Sequence, residues 1–190
     1  MFEGWDNYLV MMGTASAGLI GLLFVVITLT SGFDRNNALR GQALYMTPTM
    51  VNFAVVFALS AVAEMPRLPP AGFVGLAGVA LGLGFANAVR ASLGIATPRA
   101  GAPIPHWSDF WMYGATPGAL YALGLVAVWL TWRGSQAAAA ALFGLLLIIL
   151  LVGVRNAWDL ITWIAPGPPP GDPQWSQPPP PPLPPPPAAS

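Results

Sequence analysis

The chain has 190 residues, of which 55% are hydrophobic and only 7% are charged. A water-soluble domain carries roughly a quarter charged residues, so this composition predicts an integral membrane protein. Seven arginines balance seven acidic residues, and the formal net charge of zero argues against a nucleic-acid partner. Cysteine is absent, which excludes disulfides, a thiolate nucleophile and cysteine metal sites.

The first predicted element is a transmembrane helix over residues 8–30, a stretch without a charged residue that is long enough to cross a bilayer. Trp5 precedes it at the depth expected for an interfacial tryptophan. Gly13, Ala17 and Gly21 share one helix face, where small residues allow two helices to approach closely. We therefore expect this face to be buried against other helices.

The stretch from Trp5 to Val25 follows the pattern WDNYxVxxGxASAxLxGLLFV. It resembles the start of a group of short, uncharacterised bacterial multi-span membrane proteins, some of which are labelled modulators of a membrane-anchored AAA protease. The sequence NAWD at residues 156–159 resembles a helix exit in the same group. The resemblance implies a membrane protein to which no catalytic residues carry over.

A second span is predicted over residues 44–63 and a third over residues 71–89. Glycine dominates the third span, in which Gly78 and Gly82 form a GxxxG pair. Such pairs are typical of closely crossed helices in membranes. We therefore expect the third helix to lie at the centre of the bundle.

The fourth span is predicted over residues 111–132 and the fifth over residues 137–154, with an interfacial helical extension to residue 164. In the fourth span, Gly114 and Gly118 repeat the small-residue spacing. Aromatic and charged side chains at the span ends are expected to lie at the headgroups. These interfacial anchors are Trp5, Trp107, Trp111, Trp129, Trp132, Arg155, Trp158, Asp159 and Trp163.

Residues 166–190 form a proline-rich tail. Because proline has no amide hydrogen and restricts φ, the tail is predicted to be disordered with polyproline II character. It is either a spacer or a ligand for a polyproline-binding cytoplasmic domain. The predicted fold is thus an all-α integral membrane protein, with a five-helix transmembrane bundle over residues 1–165 and a disordered tail.

The placement of arginine predicts the orientation of the bundle. The first and third loops carry Arg35, Arg40, Arg90 and Arg99, whereas the second and fourth loops carry only Arg67 and Arg133. Since loops richer in arginine stay in the cytoplasm, the N-terminus is predicted outside and the tail inside. The expected location is the bacterial inner membrane.

Polar residues within or beside the spans are the candidates for function: Asn52, Glu64 and Asn87. Asn52 is expected either to hydrogen-bond Asn87 or a threonine across helices, or to face a pore or substrate. Glu64 lies at a span end, where a charged side chain can reach the headgroups, so it can also serve as an anchor.

No motif for metal, cofactor or phosphate binding is present, and the lone His106 has no histidine partner. The leading interpretation is a non-enzymatic membrane protein that associates with itself or with another membrane protein. The alternative is an oligomeric channel or transporter in which Asn52, Glu64 and Asn87 line a water path. An enzyme would need Glu64, Asn87, Arg90 and His106 to meet in one cavity.

Overall fold

The computed structural model describes residue 2 and residues 4–30, 45–97 and 106–164, without the side chains of residues 29, 30, 163 and 164. Apart from short turns, this part of the chain is helical. Its helices are α1 (Asp6–Thr30), α2 (Thr47–Ala63), α3 (Pro70–Ala96), α4 (Thr116–Trp132) and α5 (Gln136–Ile164). The first loop and the proline-rich tail, with the predictions made for them, lie outside the described residues.

Four helical stretches are long and apolar enough to cross a membrane: Asp6–Thr28, Pro70–Ala96, Trp107–Trp132 and Gln136–Thr162. The expectation of apolar, membrane-length helices is therefore confirmed for four of the five spans. The second span corresponds to α2, which is apolar but has only 17 residues. At 1.5 Å per residue, α2 extends about 26 Å, slightly less than the ~30 Å hydrocarbon core.

Four of the helices form a closed ring, and the first lies outside it. Helix α2 contacts α3, α3 contacts α4, α4 contacts α5, and α5 returns to α2. Helix α1 lies against α2 and α5. The expectation that the glycine-rich third helix is central is wrong, because α3 packs against α2 and α4, whereas α2 and α5 each pack against three other helices.

The core is built around α2, whose Phe53, Val56 and Leu59 are buried. Leu81 from α3 and Tyr121 from α4 pack into the same cluster. In a bilayer the lipid tails are as apolar as these side chains, so burial by itself gives little drive for helix association. Close packing and hydrogen bonds between helices must supply the stability instead.

The connection between α4 and α5 is a glycine-dependent helix end. Gly134 has a φ of 91°, its amide donates to the carbonyl of Thr131, and the Ser135 amide donates to the carbonyl of Leu130. This is the Schellman arrangement, in which glycine takes a left-handed conformation at low steric cost. Ser135 Oγ then accepts from the amide of Ala138 and caps the start of α5.

A helical turn, Trp107–Asp109, and a π-helical segment, Phe110–Ala115, lead directly into α4. The π-helical segment ends just before Thr116 and Pro117. Because Pro117 has no amide hydrogen, it cannot make the regular bond to the carbonyl four residues earlier. A wider turn at this position is therefore compatible with the proline, and the fourth helical stretch begins at Trp107 rather than at residue 111.

Residues before α1 close one end of the bundle. The Phe2 ring lies 4.7 Å from that of Phe73 and 4.9 Å from that of Phe143, measured between centroids. We call this the Phe2 end; it includes the α2–α3 and α4–α5 turns. The opposite end, with Tyr45, the turn Trp107–Asp109 and the last turns of α5, is called the Tyr45 end.

Candidate functional site

The deepest polar contact in the bundle joins Asn52 of α2 to Tyr121 of α4. Tyr121 Oη donates a 2.6 Å hydrogen bond to Asn52 Oδ1, and both residues are only 1% exposed. The sequence suggested Asn87 or a threonine as the partner of Asn52. The tyrosine is the actual partner, because its long side chain reaches α2 across the ring of helices.

Two buried side-chain atoms in the described residues have no hydrogen-bond partner: Asn52 Nδ2 and Ser60 Oγ. Ser60 lies where α1 passes closest to α2, since its Cβ is 3.3 Å from the Cβ that an alanine would place at position 13. An unpartnered amide hydrogen is unfavourable in a low-dielectric interior. Asn52 is therefore the strongest single candidate for an interior contact with a water or a solute.

The three candidate pore residues do not form one cluster. Asn52 is buried in α2, whereas Glu64 is the partly buried cap residue at the end of the same helix, about 18 Å further along its axis. Asn87 lies partly buried on α3, and its side chain makes no hydrogen bond with the described residues.

The Tyr45 end carries a second group of polar contacts. Tyr45 Oη donates to Asp109 Oδ2 at 3.3 Å, and Tyr113 Oη donates to Asp159 Oδ2 at 3.1 Å. The two tyrosine rings pack edge to face with centroids 5.0 Å apart. These contacts connect the start of α2, the segment before α4 and the last turns of α5.

Asn156 is the buried polar residue that sequence reasoning missed. It is 0% exposed, and its Nδ2 donates a 2.9 Å bond to the carbonyl of Met112 in the π-helical segment. The Asn156 carbonyl in turn accepts from Tyr113 Oη at 3.2 Å. The sequence signal for Asn156 is its position in the NAWD sequence, but that pattern by itself predicts only an interfacial extension and no buried side chain.

His106 and Asp109 cap the short turn that precedes α4. The His106 amide donates to Asp109 Oδ2 at 3.2 Å, and His106 Nδ1 lies 2.8 Å from Ser108 Oγ. The Asp109 carboxylate accepts from the His106 amide and from the Ser108 hydroxyl, and it makes no hydrogen bond with the imidazole. This geometry is that of a capping box and does not orient the histidine as a general base.

The predicted packing residues divide into an inward and an outward set. A Cβ at Gly114 would collide with Ser92, one at Gly118 would lie 3.6 Å from the Ala88 Cβ, and Gly13 is similarly close to Ser60. The outward residues are Ala17, Gly21, Gly78 and Gly82; the three glycines have no atom within 4 Å of a built Cβ, and Ala17 is exposed. They are therefore not buried within the described chain.

Ala17 and Gly21 of α1 face outward because of the way this helix packs. This helix is anchored to α2 and α5 by its buried side chains Leu9, Met12 and Leu23, which lie on the side away from Ala17 and Gly21.

Sequence reasoning also missed glycines that do pack. A Cβ would come within 2.6–2.9 Å of a Phe53 ring atom at Gly153, a Tyr121 ring atom at Gly84 and a Leu81 methyl at Gly124.

Most of the predicted interfacial anchors are exposed at the ends of helical stretches: Trp107, Trp111, Trp129, Trp132 and Trp158. Trp5 is instead partly buried, with its ring 4.9 Å from that of Phe143. Arg155 Nη1 lies 3.9 Å from Asp159 Oδ2. The side chain of Trp163 lies outside the described residues.

The described residues contain no group of three or more histidine, cysteine or acidic side chains that could hold a metal ion. The side chains of Tyr121, Tyr113 and Asn156 make polar contacts that join helices to one another. The contact between a hydroxyl and an imidazole, Ser108 Oγ to His106 Nδ1, belongs to the cap of the turn before α4. No family model, no curated protein and no solved structure matches this chain.

Proposed function

We propose that this chain is a non-enzymatic integral protein of the bacterial inner membrane that acts through helix–helix association with a second copy or with another membrane protein. The observation that carries this proposal is the outward position of Gly21 on α1 and of Gly78 and Gly82 on α3. Glycine lowers helix propensity by about 1 kcal/mol relative to alanine, so a lipid-facing helix surface has no need of it.

Small residues on such a surface favour contact with another helix, because they let the two backbones approach closely. On α3, Gly78, Gly82 and Ala86 repeat at every fourth residue, and Ala86 is exposed. Larger exposed side chains, Val79 and Leu83, flank this row. A row of small residues beside larger exposed side chains lets the backbone of a partner helix approach closely.

In this proposal α2 is a fifth span. Tyr45 and Met46 continue its helical path towards the Tyr45 end, which brings its length closer to the thickness of the hydrocarbon core. Five spans place the two termini on opposite sides of the membrane, with the N-terminus outside and the tail in the cytoplasm according to the arginine distribution.

Two kinds of partner are consistent with this arrangement. The resemblance of residues 5–25 to the bacterial group described above suggests a membrane-anchored protease as one candidate. The tail over residues 166–190 would be available to a cytoplasmic domain that binds polyproline II helices. In both cases the chain contributes a surface and no chemistry.

The test is purification of the full chain in a mild detergent after chemical crosslinking in the membrane. Mass measurement is expected to show a defined oligomer or a stable complex with another membrane protein. A chain that is a solitary monomer after crosslinking in the membrane and after purification in mild detergent contradicts the proposal.

An oligomeric channel or transporter is the second candidate, and one observation favours it: the buried Asn52 Nδ2 lacks a partner. Water in an assembled path could satisfy this group. Liposome flux measurements on the chain and on Asn52→Leu and Glu64→Gln variants distinguish the two functions. Flux that disappears in the variants supports the channel, whereas the absence of any flux removes it.

A further inference from the structure

A cleft of about 230 Å³ lies at the Phe2 end, between the N-terminal segment, the end of α2 and the start of α3. Six of its seven lining residues have apolar side chains, among them Phe2, Val62, Leu68 and Phe73. The exception is Arg67, which belongs to the turn between α2 and α3. The cleft thus combines an apolar wall with a single cationic side chain.

Arg67 has an unusual backbone conformation. Its φ is 57°, and it is the single residue other than glycine with a positive φ among the described residues. In this left-handed region a side chain with a Cβ is crowded against its own carbonyl, so glycine or asparagine is normally preferred. An arginine at this position is therefore not explained by the geometry of the turn, and residues held in this way are often functional.

The charge of Arg67 is also unbalanced. Within the described chain its guanidinium makes no hydrogen bond or ion pair, whereas Arg155 lies beside Asp159 and Arg133 lies over the Trp129 ring. The acidic residues described at this end are Asp6 and Glu64, and neither forms an ion pair with it. Arg67 is therefore the one charged side chain in the lining of the cleft, and its guanidinium is available to an anion.

We propose that this cleft binds the phosphate-bearing headgroup of an anionic membrane phospholipid, with the Arg67 guanidinium on the phosphate and the first methylenes against Leu68 and Phe2. A planar guanidinium can donate two parallel hydrogen bonds to a phosphate. The turn between two helices of membrane-spanning type lies at the depth where lipid headgroups are concentrated.

The size of the cleft limits what it can hold. At ~30 Å³ for each water molecule in the liquid, 230 Å³ corresponds to about eight waters. That space accommodates a headgroup but not two acyl chains, which would stay in the bilayer beside the bundle. The ligand is therefore a lipid bound at its polar end, and the site lies within one chain, so it does not depend on the proposed association.

The experiment measures binding of phosphatidylglycerol to the full chain in a non-ionic detergent by native mass spectrometry, with glycerol 3-phosphate as the soluble comparison. The test variants are Arg67→Asn and Arg67→Gly, because both residues accept a positive φ and remove the charge. The matched control is Arg133→Gln, which removes an arginine from the other turn at the same end. Arg67→Lys keeps the charge.

Loss of one charge-assisted hydrogen bond predicts that Arg67→Asn and Arg67→Gly bind the lipid at least about tenfold more weakly. Arg133→Gln should bind as the unmodified chain does, and glycerol 3-phosphate should compete weakly. Arg67→Lys keeps the charge but cannot donate two parallel hydrogen bonds, so its affinity should lie between those of the unmodified chain and of Arg67→Asn. The proposal is overturned if both Arg67 variants keep the affinity or if Arg133→Gln loses as much. Competition by glycerol 3-phosphate at the same concentration as the lipid would assign the cleft to a free phosphate ester instead.

Discussion

Tyr121 Oη and Asn52 Oδ1 are 2.6 Å apart, and their hydrogen bond joins α4 to α2 in the interior of the helix ring. The contact connects helices that are opposite one another in the ring, since α2 packs directly against α3 and α5. Interhelical hydrogen bonds of this kind contribute about 0.6 kcal/mol on average in a membrane and up to about 1.7 kcal/mol. The bond therefore fixes the relative positions of α2 and α4 at a modest gain in stability.

Tyr121→Phe is expected to lower the free energy of unfolding by about 1–2 kcal/mol. The variant removes the donor to Asn52 Oδ1, so neither polar atom of the buried Asn52 amide would then have a hydrogen-bond partner. Asn52→Leu should have a similar effect, and the double variant should be more stable than the sum of the two losses predicts. Unfolding in mixed detergent micelles measures all three. Strict additivity of the single effects would show that the two side chains do not interact.

Buried glycines are expected to be sensitive to alanine. Gly153→Ala and Gly84→Ala would place a Cβ 2.6 Å from a Phe53 ring atom and 2.7 Å from a Tyr121 ring atom. Such overpacking costs about 1–3 kcal/mol of stability. The matched control is Gly144→Ala, a change in α5 at a glycine with open space around it, which should be neutral or stabilising by up to about 1 kcal/mol.

Association through the outward glycines predicts a different pattern with leucine. Gly82 and Gly21 have open space at the Cβ position in the single chain, so we expect Gly82→Leu and Gly21→Leu to leave folding unaffected. At least one of them should weaken association about tenfold or more in a crosslinking or energy-transfer assay, because the backbones could no longer approach closely. Gly144→Leu is the control on α5, and an equal effect of all three would contradict a specific surface.

Asn156→Ala should loosen the Tyr45 end. The variant removes the 2.9 Å bond to the Met112 carbonyl and leaves that acceptor without its side-chain donor in the π-helical segment. We expect a loss of about 1–3 kcal/mol in the free energy of unfolding. Thr162→Val removes an exposed hydroxyl from the same helix and should change stability by less than about 0.5 kcal/mol.

The proposed orientation can be checked with fusion proteins. A reporter that is active only in the cytoplasm should be active when fused after Ser190 and silent when fused before Met1. The reverse result would mean that the orientation in the membrane is the opposite of the proposed one. Activity at both ends would mean that an even number of helices crosses the membrane, so that α2 would no longer count as a span.

The packing roles of individual side chains were less predictable from the sequence than the positions of the helices. The spacing of Gly13, Ala17 and Gly21 indicated a packed face, but only the first of them packs within the chain. Gly84, Gly124 and Gly153 were not singled out, although each lies against a large side chain. Spacing shows which residues share a face, but it does not show which element lies opposite.

Composition and the length of the apolar stretches were enough to determine that the chain forms apolar helices, since a bilayer leaves backbone polar groups no partner except one another. Only the tertiary structure decided which face of each helix lies inside, that α2 and α5 rather than α3 pack against three other helices, and that Tyr121 is the partner of Asn52. The physical reason is that lipid accepts an apolar face as readily as a protein core does. Hydrophobicity therefore cannot distinguish the inward side of a membrane helix from its outward side, and the fit of side chains between helices must decide it.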